Sequence, residues 1–140
     1  MAFDPNKSTL EACIAHIQAT RARLNLPDDK ILTSRDVDIW GDSESQVHNV
    51  PGGFHKVILP FHLDSSSTFY ISSAGPHTSV PKHSHDEGAG VRFIVSGSIT
   101  YNGKALTQGD WMFLPAGVAY EFTTGPMGVT MFYCYSCCCA

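Results

Sequence analysis

His83 and His85 are the residues of this chain whose type and spacing first suggest chemistry. On an extended strand, residues two apart face the same way and lie about 7 Å apart, so the two imidazoles would converge on one side. Two neutral imidazoles on one side are a common beginning of a divalent-cation site. The loop that follows carries two carboxylates, Asp86 and Glu87, and the spacing alone does not say whether either completes a metal site. Glu87 is either a third ligand that reaches back or a solvated loop acid.

A guanidinium follows a few residues later, at Arg92. Arg92 stands two residues after Gly90 in a largely apolar stretch, and on a strand these two positions share a face. If that face is the protein interior, Arg92 would bind a carboxylate or enolate substrate through two parallel hydrogen bonds. The alternative is an Arg92 at the rim that pairs with Asp86 or Glu87.

The periodicity of the chain predicts the elements that must position these side chains. Ser8-Thr9-Leu10-Glu11 fits a capping box, and the apolar positions after it predict a helix over 8–24. From residue 31 onward the pattern changes to short strands and turns, with Asn102-Gly103 as a hairpin signal. Many short strands between glycine and proline turns are typical of a sandwich or barrel. The predicted strands are 31–32, 37–40, 56–63, 68–72, 91–101, 104–106, 111–114, 120–123 and 129–135.

Length and composition restrict the classes of function. The 140 residues suffice for a single domain over 1–140. The formal net charge is −4 and no basic cluster is present, so nucleic acid is not an expected partner. No apolar run approaches the roughly 20 residues that span a bilayer, which argues against a membrane protein. The first residues form no apolar signal segment, which favours a cytoplasmic location.

Four of the five cysteines lie in the last seven residues. Cys134 and Cys137 have the CxxC spacing that can serve zinc binding or redox chemistry. A second pair at similar spacing is missing, and in a reducing compartment free thiols are the expected state. We therefore interpret Cys134, Cys137, Cys138 and Cys139 as an oxidation-prone tail rather than as a metal or redox site.

Two motifs, in order, resemble those of the cupin superfamily. The first is Val80-Pro81-Lys82-His83-Ser84-His85, followed after a gap by Phe93-Ile94-Val95-Ser96-Gly97. The second is Gly109-Asp110, then Pro115-Ala116-Gly117, then Tyr120. The resemblance covers about residues 56–135. It implies an all-β fold, a conical jelly-roll β-barrel with a small-molecule pocket, preceded by an N-terminal helical extension over 1–30. It also implies a homodimer.

The chain departs from the cupin pattern at two metal-ligand positions. The family's site typically takes two His and a Glu from the first motif and one His from the second. His83 and His85 match this set, whereas the Glu position is Gly90 and the second His position is Tyr120. The loss of the carboxylate at Gly90 would open a coordination position for substrate.

Other side chains could complete the site that the resemblance implies. Tyr120 is either a phenolate ligand or a hydrogen-bond donor to a bound molecule. His62 and His77 are further candidates for a third imidazole, because small cupin dioxygenases often use three. Trp111 is one of several aromatic residues on the predicted strands and is a candidate for substrate binding.

The first functional hypothesis is a metal-dependent enzyme. The resemblance implies Fe(II), or Zn, Mn or Ni, held by His83 and His85. The leading reaction is oxygen-dependent cleavage by a dioxygenase, followed by a lyase or isomerase reaction, on a small carboxylate- or ketone-bearing molecule. Arg92 would orient the anion, Tyr120 would donate or relay a proton, and Glu87 would be a base or third ligand. The alternative is a metal-free or metal-degenerate cupin that binds or senses a small molecule.

Overall fold

The computed structural model describes residues 8–64 and 68–136. The described chain divides into two compact units, one with residues 8–27 and 37–62 and the other with 28–36, 63–64 and 68–136. The single domain over 1–140 stays a prediction. Cys137, Cys138 and Cys139, which make up most of the predicted cysteine tail, lie outside the described residues.

The first unit contains the helix α1, Leu10–Arg23. The Thr9 side chain caps it by accepting a hydrogen bond from the Ala12 backbone nitrogen at 3.1 Å. The predicted helix is therefore confirmed, but the predicted capping box is wrong. Because the helix starts one residue later than Ser8 requires, the third helical position is Ala12, which has no side-chain acceptor. No helix among the described residues is long and apolar enough to cross a membrane.

An ion-pair group ties the end of α1 to the following loop in the same unit. Arg23 donates to both carboxylate oxygens of Asp42 at 2.8 Å, and its Nε lies 2.6 Å from Glu44. The hydroxyl of Ser45 also donates to Asp42. Hydrogen bonds from Arg23 and Ser45 lower the pKa of Asp42 to about 2.

The second unit consists of antiparallel β-structure, and it confirms the predicted all-β class with an N-terminal helix. Its strands form one sheet in the order β1-β6-β4-β7-β2, with β3 paired to β7 and β5 paired to β4. The strands are β1 (Leu32–Thr33), β2 (Thr68–Ala74), β3 (Ser79–His83), β4 (Gly90–Tyr101), β5 (Lys104–Thr107), β6 (Trp111–Leu114) and β7 (Tyr120–Tyr135).

Glycines shape the long central pair, β4 and β7. Gly97 and Gly128 both have positive φ, and the pairing register shifts between Gly97 and Ile99. A Cβ on Gly97 would lie 2.1 Å from the carbonyl oxygen of Gly128, so only glycine permits this close approach. The Asn102-Gly103 hairpin between β4 and β5 is confirmed, with positive φ at both residues. The core of the unit is formed by Ile94, Ile99, Leu106, Met112, Leu114, Tyr120, Phe122, Val129 and Met131.

Two predicted strands in the first unit are wrong. The segment 37–40 is irregular and leads into a turn at Trp40, where the Asp38 side chain accepts a hydrogen bond from the Gly41 backbone nitrogen at 3.0 Å. The segment 56–63 contributes only an isolated bridge between Gln46 and Val57. Pro60 lies within that segment and has no backbone N–H for a strand ladder.

The depressed pKa of Asp42 predicts an acid-sensitive contribution to folding. The ionised Asp42 carboxylate adds to the free energy of unfolding above its unfolded-state pKa of about 3.9. This contribution is lost as the pH falls towards 2, because Asp42 takes up a proton more readily in the unfolded chain than in the folded one. We expect Asp42→Asn to flatten the loss of unfolding free energy between pH 4 and 2, measured by urea titration. Asp86→Asn, at an exposed carboxylate, is the control. An unchanged slope in Asp42→Asn would contradict the assignment.

Candidate functional site

The strand register places the candidate functional side chains on one face of the sheet. Gly90 and Arg92 of β4 pair with Tyr135 and Tyr133 of β7, and residues directly opposite on neighbouring strands share a face. The Cζ atom of Arg92 lies 4.1 Å from the centre of the Tyr133 ring. Arg92 is only 7% exposed, so it points into the interior of the unit, as the first of its two sequence interpretations required.

The hydroxyl of Tyr120 is the centre of a hydrogen-bond network. It accepts a bond from Arg92 Nη2 at 3.0 Å, and it lies 3.1 Å from His85 Nε2 and 3.1 Å from the Tyr135 hydroxyl. Tyr120 is 2% exposed, Tyr135 0% and His85 8%. Strands β4 and β7 and the loop after β3 thus bring together four polar side chains, which we call the Arg92 network: Arg92, Tyr120, Tyr135 and His85.

His83 lies at the end of β3, opposite Tyr120 of β7. Its ring is 5.0 Å from that of His85 and 4.6 Å from that of Tyr120, centre to centre. Nδ1 of His83 is 2.7 Å from the carbonyl oxygen of Pro81, which can only accept, so Nδ1 carries the proton. Its Nε2 is then the acceptor of the neutral ring. The sequence prediction that the two histidines converge is confirmed by their ring contact.

Gly90 is required by Tyr135. A Cβ on Gly90 would lie 2.2 Å from Cδ1 and Cε1 of the Tyr135 ring. The space beside Gly90, where the cupin pattern has a carboxylate, is therefore filled by a tyrosine ring. The sequence interpretation missed Tyr135, although its spacing of two from Tyr133 indicates a shared face with it. Only the pairing of β7 with β4 shows that this face carries Arg92.

Arg92 is a buried cation without a carboxylate partner. No ion pair joins it to Asp86 or Glu87 within the described chain, and its Nε is buried with no hydrogen-bond partner there. Burial lowers the pKa of Arg92, but the Tyr135 and Tyr120 oxygens outweigh this effect and the pKa is raised. Burial raises the pKa of Tyr135 far above its usual range, and Arg92 only partly opposes this. At neutral pH Arg92 is therefore charged and Tyr135 is neutral.

The structure does not bring every predicted site residue to this network. Glu87 is exposed in the loop after β3. Trp111 pairs with Phe93, one position away from Arg92, so it faces the opposite side of the sheet. The substrate-binding role of Trp111 stays a prediction.

The further histidine candidates lie elsewhere. His77 is exposed in the turn between β2 and β3, where its φ is 53°. His62 belongs to the other compact unit. Within the part of the chain that the structure describes, no three His, Cys, Asp or Glu side chains come close enough to hold a metal ion.

The donor set fits a resident divalent ion poorly. Only His83 and His85 offer imidazole nitrogen, and Nε2 of His85 is engaged with the Tyr120 hydroxyl. Among the described residues no carboxylate joins them to offset a +2 charge, and the positive guanidinium of Arg92 donates to the same hydroxyl. Two charges of the same sign in such a buried place repel each other strongly.

Comparison with known proteins gives similarity at the level of the fold. No protein-family profile matches the chain, and no curated protein sequence matches it. Among solved structures, a protein of unknown function with a cupin-like fold from Ralstonia eutropha is 22% identical at a TM-score of 0.46, over 51% of this chain and 47% of that one.

Two further solved structures are similar over more of this chain. A cupin from Shewanella frigidimarina, described as RmlC-like, is 21% identical over 69% of this chain and 87% of that chain, with a TM-score of 0.44. An acetylacetone dioxygenase from Acinetobacter johnsonii is 18% identical over 67% and 69%, with a TM-score of 0.43. This chain is therefore similar to solved structures described as cupins or as having a cupin-like fold, and these similarities extend to no activity.

The contact between Gly90 and Tyr135 predicts that even one added methyl group is harmful. In Gly90→Ala the tyrosine ring must move, and we expect the free energy of unfolding to fall by about 1–3 kcal/mol. Gly75→Ala is the matched control, because a Cβ there meets nothing within 4 Å. Urea unfolding of both variants measures the difference. In a Tyr135→Ala background, the effect of Gly90→Ala should largely disappear, and an equal loss in both backgrounds would refute the contact.

Proposed function

We propose that this chain binds a small organic anion, of the carboxylate or enolate class, at Arg92 and without a resident metal ion. The single observation that supports the proposal is the buried guanidinium of Arg92, which has an unused Nε donor and no carboxylate partner in the described chain. The resemblance to cupins is compatible with a small-molecule site in this place.

The cost of burying Arg92 is the first step of the argument. A buried charge is unfavourable unless it is paired or hydrogen-bonded. Here the ring of Tyr133 at 4.1 Å and the hydroxyl of Tyr120 at 3.0 Å offset part of that cost. Neither group is a carboxylate. A bound anion would therefore add the interaction that the protein itself does not supply.

The geometry of the guanidinium indicates the class of anion. A carboxylate or an enolised ketone presents two oxygens, which match the parallel N–H donors of an arginine. Tyr133 and His83 are the half-buried side chains beside the fully buried ones, so the approach to Arg92 leads past them. A small molecule with a keto or carboxylate group is the ligand that this arrangement favours.

Neighbouring groups determine what the site can do with the anion. Tyr120 accepts from Arg92 and has one O–H of its own, which can be donated to His85 Nε2 or to the Tyr135 oxygen. A ligand that takes over the Arg92 bond would free a lone pair of the Tyr120 oxygen. The Tyr120 proton would reach an oxygen of the ligand by leaving His85 Nε2 or the Tyr135 oxygen. Proton donation at this atom is compatible both with simple binding and with an isomerase or lyase reaction.

The metal-dependent dioxygenase is the second candidate. The hydrogen bond between His83 Nδ1 and the Pro81 carbonyl favours it, because it leaves Nε2 as the donor atom in the manner of many metal-bound histidines. In that case the anionic ligand itself would have to complete the coordination shell of the metal ion, which would be Fe(II), Zn, Mn or Ni. We also propose that the chain forms a homodimer and that it is located in the cytoplasm.

Substitution of Arg92 tests the anion site. We expect pyruvate to bind the parent chain saturably in calorimetry at pH 7, and Arg92→Gln to weaken binding by at least about tenfold. Arg92→Lys keeps the charge but loses the paired N–H donors. Its affinity for pyruvate should lie between those of the parent chain and Arg92→Gln. Lys82→Gln, at an exposed lysine of β3, is the control and should bind like the parent chain.

Folding is checked on each variant by circular dichroism and thermal unfolding. Arg92→Met serves as a second variant if Arg92→Gln does not fold. Acetate, succinate and acetylacetonate extend the test to other anions. The absence of saturable binding by all four anions in the parent chain would refute the proposal.

Metal analysis separates the two candidates. We expect the tag-free parent chain to contain no stoichiometric metal by mass spectrometry, even after anaerobic loading with Fe(II), because the donors are two imidazoles beside a cation. The His83→Ala/His85→Ala variant should give the same result. About one metal ion per chain in the parent, and none in the variant, would favour the oxygenase instead.

A further inference from the structure

A groove in the first compact unit is separate from the Arg92 network. It lies along the segment 45–58, which folds back on itself through backbone hydrogen bonds. Val47 N donates to Lys56 O at 2.8 Å, and Ile58 N donates to Ser45 O at 2.9 Å. The turn between the two arms contains Pro51, whose carbonyl accepts from Phe54 N at 3.1 Å. The arms form the walls of the groove, and none of its lining residues belongs to the Arg92 network.

The cavity of the groove has a volume of about 210 Å³. Cavities of roughly 150 Å³ in other proteins hold one benzene ring, so this space suits a single aromatic ring with a small substituent. No acidic side chain lines it. Its lining residues are Trp40, Gln46, Val47, His48, Val50, Phe54, His55, Lys56 and Val57.

Two aromatic side chains of the groove are exposed to an unusual degree. Trp40 is 60% exposed and Phe54 is 67% exposed. Large aromatic side chains gain much from burial, and such side chains at the edge of a cavity are typical of binding sites. The Trp40 carbonyl accepts a hydrogen bond from Gln46 Nε2 at 3.3 Å, which fixes the Trp40 backbone against the groove.

The charge of the groove is positive. Lys56 lines it and makes no ion pair within the described part of the chain. Of the acids that precede the segment, Asp42 and Glu44 are engaged by Arg23, and Asp38 is exposed and does not line the groove. His48 and His55 add ring nitrogens that can donate hydrogen bonds. The lining of the groove therefore contains no negative side chain that would repel an anion.

We infer that this groove is a second binding site, for a small aromatic carboxylate. The aromatic ring of the ligand packs against Trp40 and Phe54, and its carboxylate pairs with Lys56. Charge complementarity selects the anion, and the volume limits the ligand to about one ring. Arg92 offers an anion site among buried side chains, whereas this groove combines exposed aromatic faces with a lysine.

Trp40 provides a reporter inside the proposed site. The chain has two tryptophans, and the other, Trp111, is only 4% exposed. Titration of the full-length chain with phenylacetate should give a saturable change in tryptophan fluorescence. Phenylacetamide has the same shape without the charge. It should bind roughly tenfold more weakly, because the loss of one charge-assisted hydrogen bond lowers the affinity by about this factor. Acetate, which has the charge without the ring, should give no change.

Matched variants locate the effect. Lys56→Gln should weaken phenylacetate binding roughly threefold to tenfold, and Lys30→Gln, at an exposed lysine outside the groove, should leave it unchanged. In an Arg92→Gln background, Trp40→Phe should remove the fluorescence change while calorimetry still detects phenylacetate binding. Arg92→Gln should keep the fluorescence change, which separates this site from the Arg92 network.

Three results would overturn the inference. The first is the absence of a saturable change with phenylacetate. The second is equal affinity for phenylacetate and phenylacetamide. The third is an equal effect of Lys56→Gln and Lys30→Gln. If the fluorescence change is lost in Arg92→Gln but kept in Lys56→Gln, the ligand binds at the Arg92 network instead.

Discussion

The burial of one guanidinium without a carboxylate partner is the constraint around which the second unit is arranged. Arg92 lies on the inward face of β4, where a charge is unfavourable unless other groups compensate it. The protein supplies aromatic rings and one tyrosine hydroxyl, which are weaker partners than an ion. The Nε atom of Arg92 is left buried with no hydrogen-bond partner among the described residues. The hydroxyls of Tyr120 and Tyr135 lie around this guanidinium.

The two departures from the cupin metal pattern are connected through a third residue. Gly90 leaves room for the ring of Tyr135, and the hydroxyl of Tyr135 meets that of Tyr120 at 3.1 Å. A carboxylate at position 90 could not coexist with Tyr135 in this position. The glycine at position 90 and the tyrosine at position 120 are therefore linked through the ring and hydroxyl of Tyr135.

His83 and His85 show that an HxH motif alone does not specify a metal centre. Their rings converge, as the motif predicts, but Nε2 of His85 faces a tyrosine hydroxyl and Nδ1 of His83 faces a backbone carbonyl. The other side chains next to a pair of histidines determine whether the imidazoles act as metal ligands or as hydrogen-bonding groups. Here the neighbouring groups are the phenols of Tyr120 and Tyr135 and the guanidinium of Arg92.

The sequence by itself determined what depends on local pattern. It predicted the helix, the antiparallel β class, the Asn102-Gly103 hairpin and the convergence of His83 and His85, because hydrophobic period, turn chemistry and strand alternation act over a few residues. It failed at 37–40, which is irregular and leads into a turn at Trp40 instead of forming a strand.

The tertiary structure alone decided the composition of the site. Tyr135 joins Arg92 and Tyr120 only through the pairing of β7 with β4, and the register of that pairing is set by bulges that no local pattern reveals. The same register turns Trp111 to the opposite face from Arg92. Whether a polar side chain has a partner depends on strands that are remote in sequence, since backbone pairing and burial are properties of the assembled sheet.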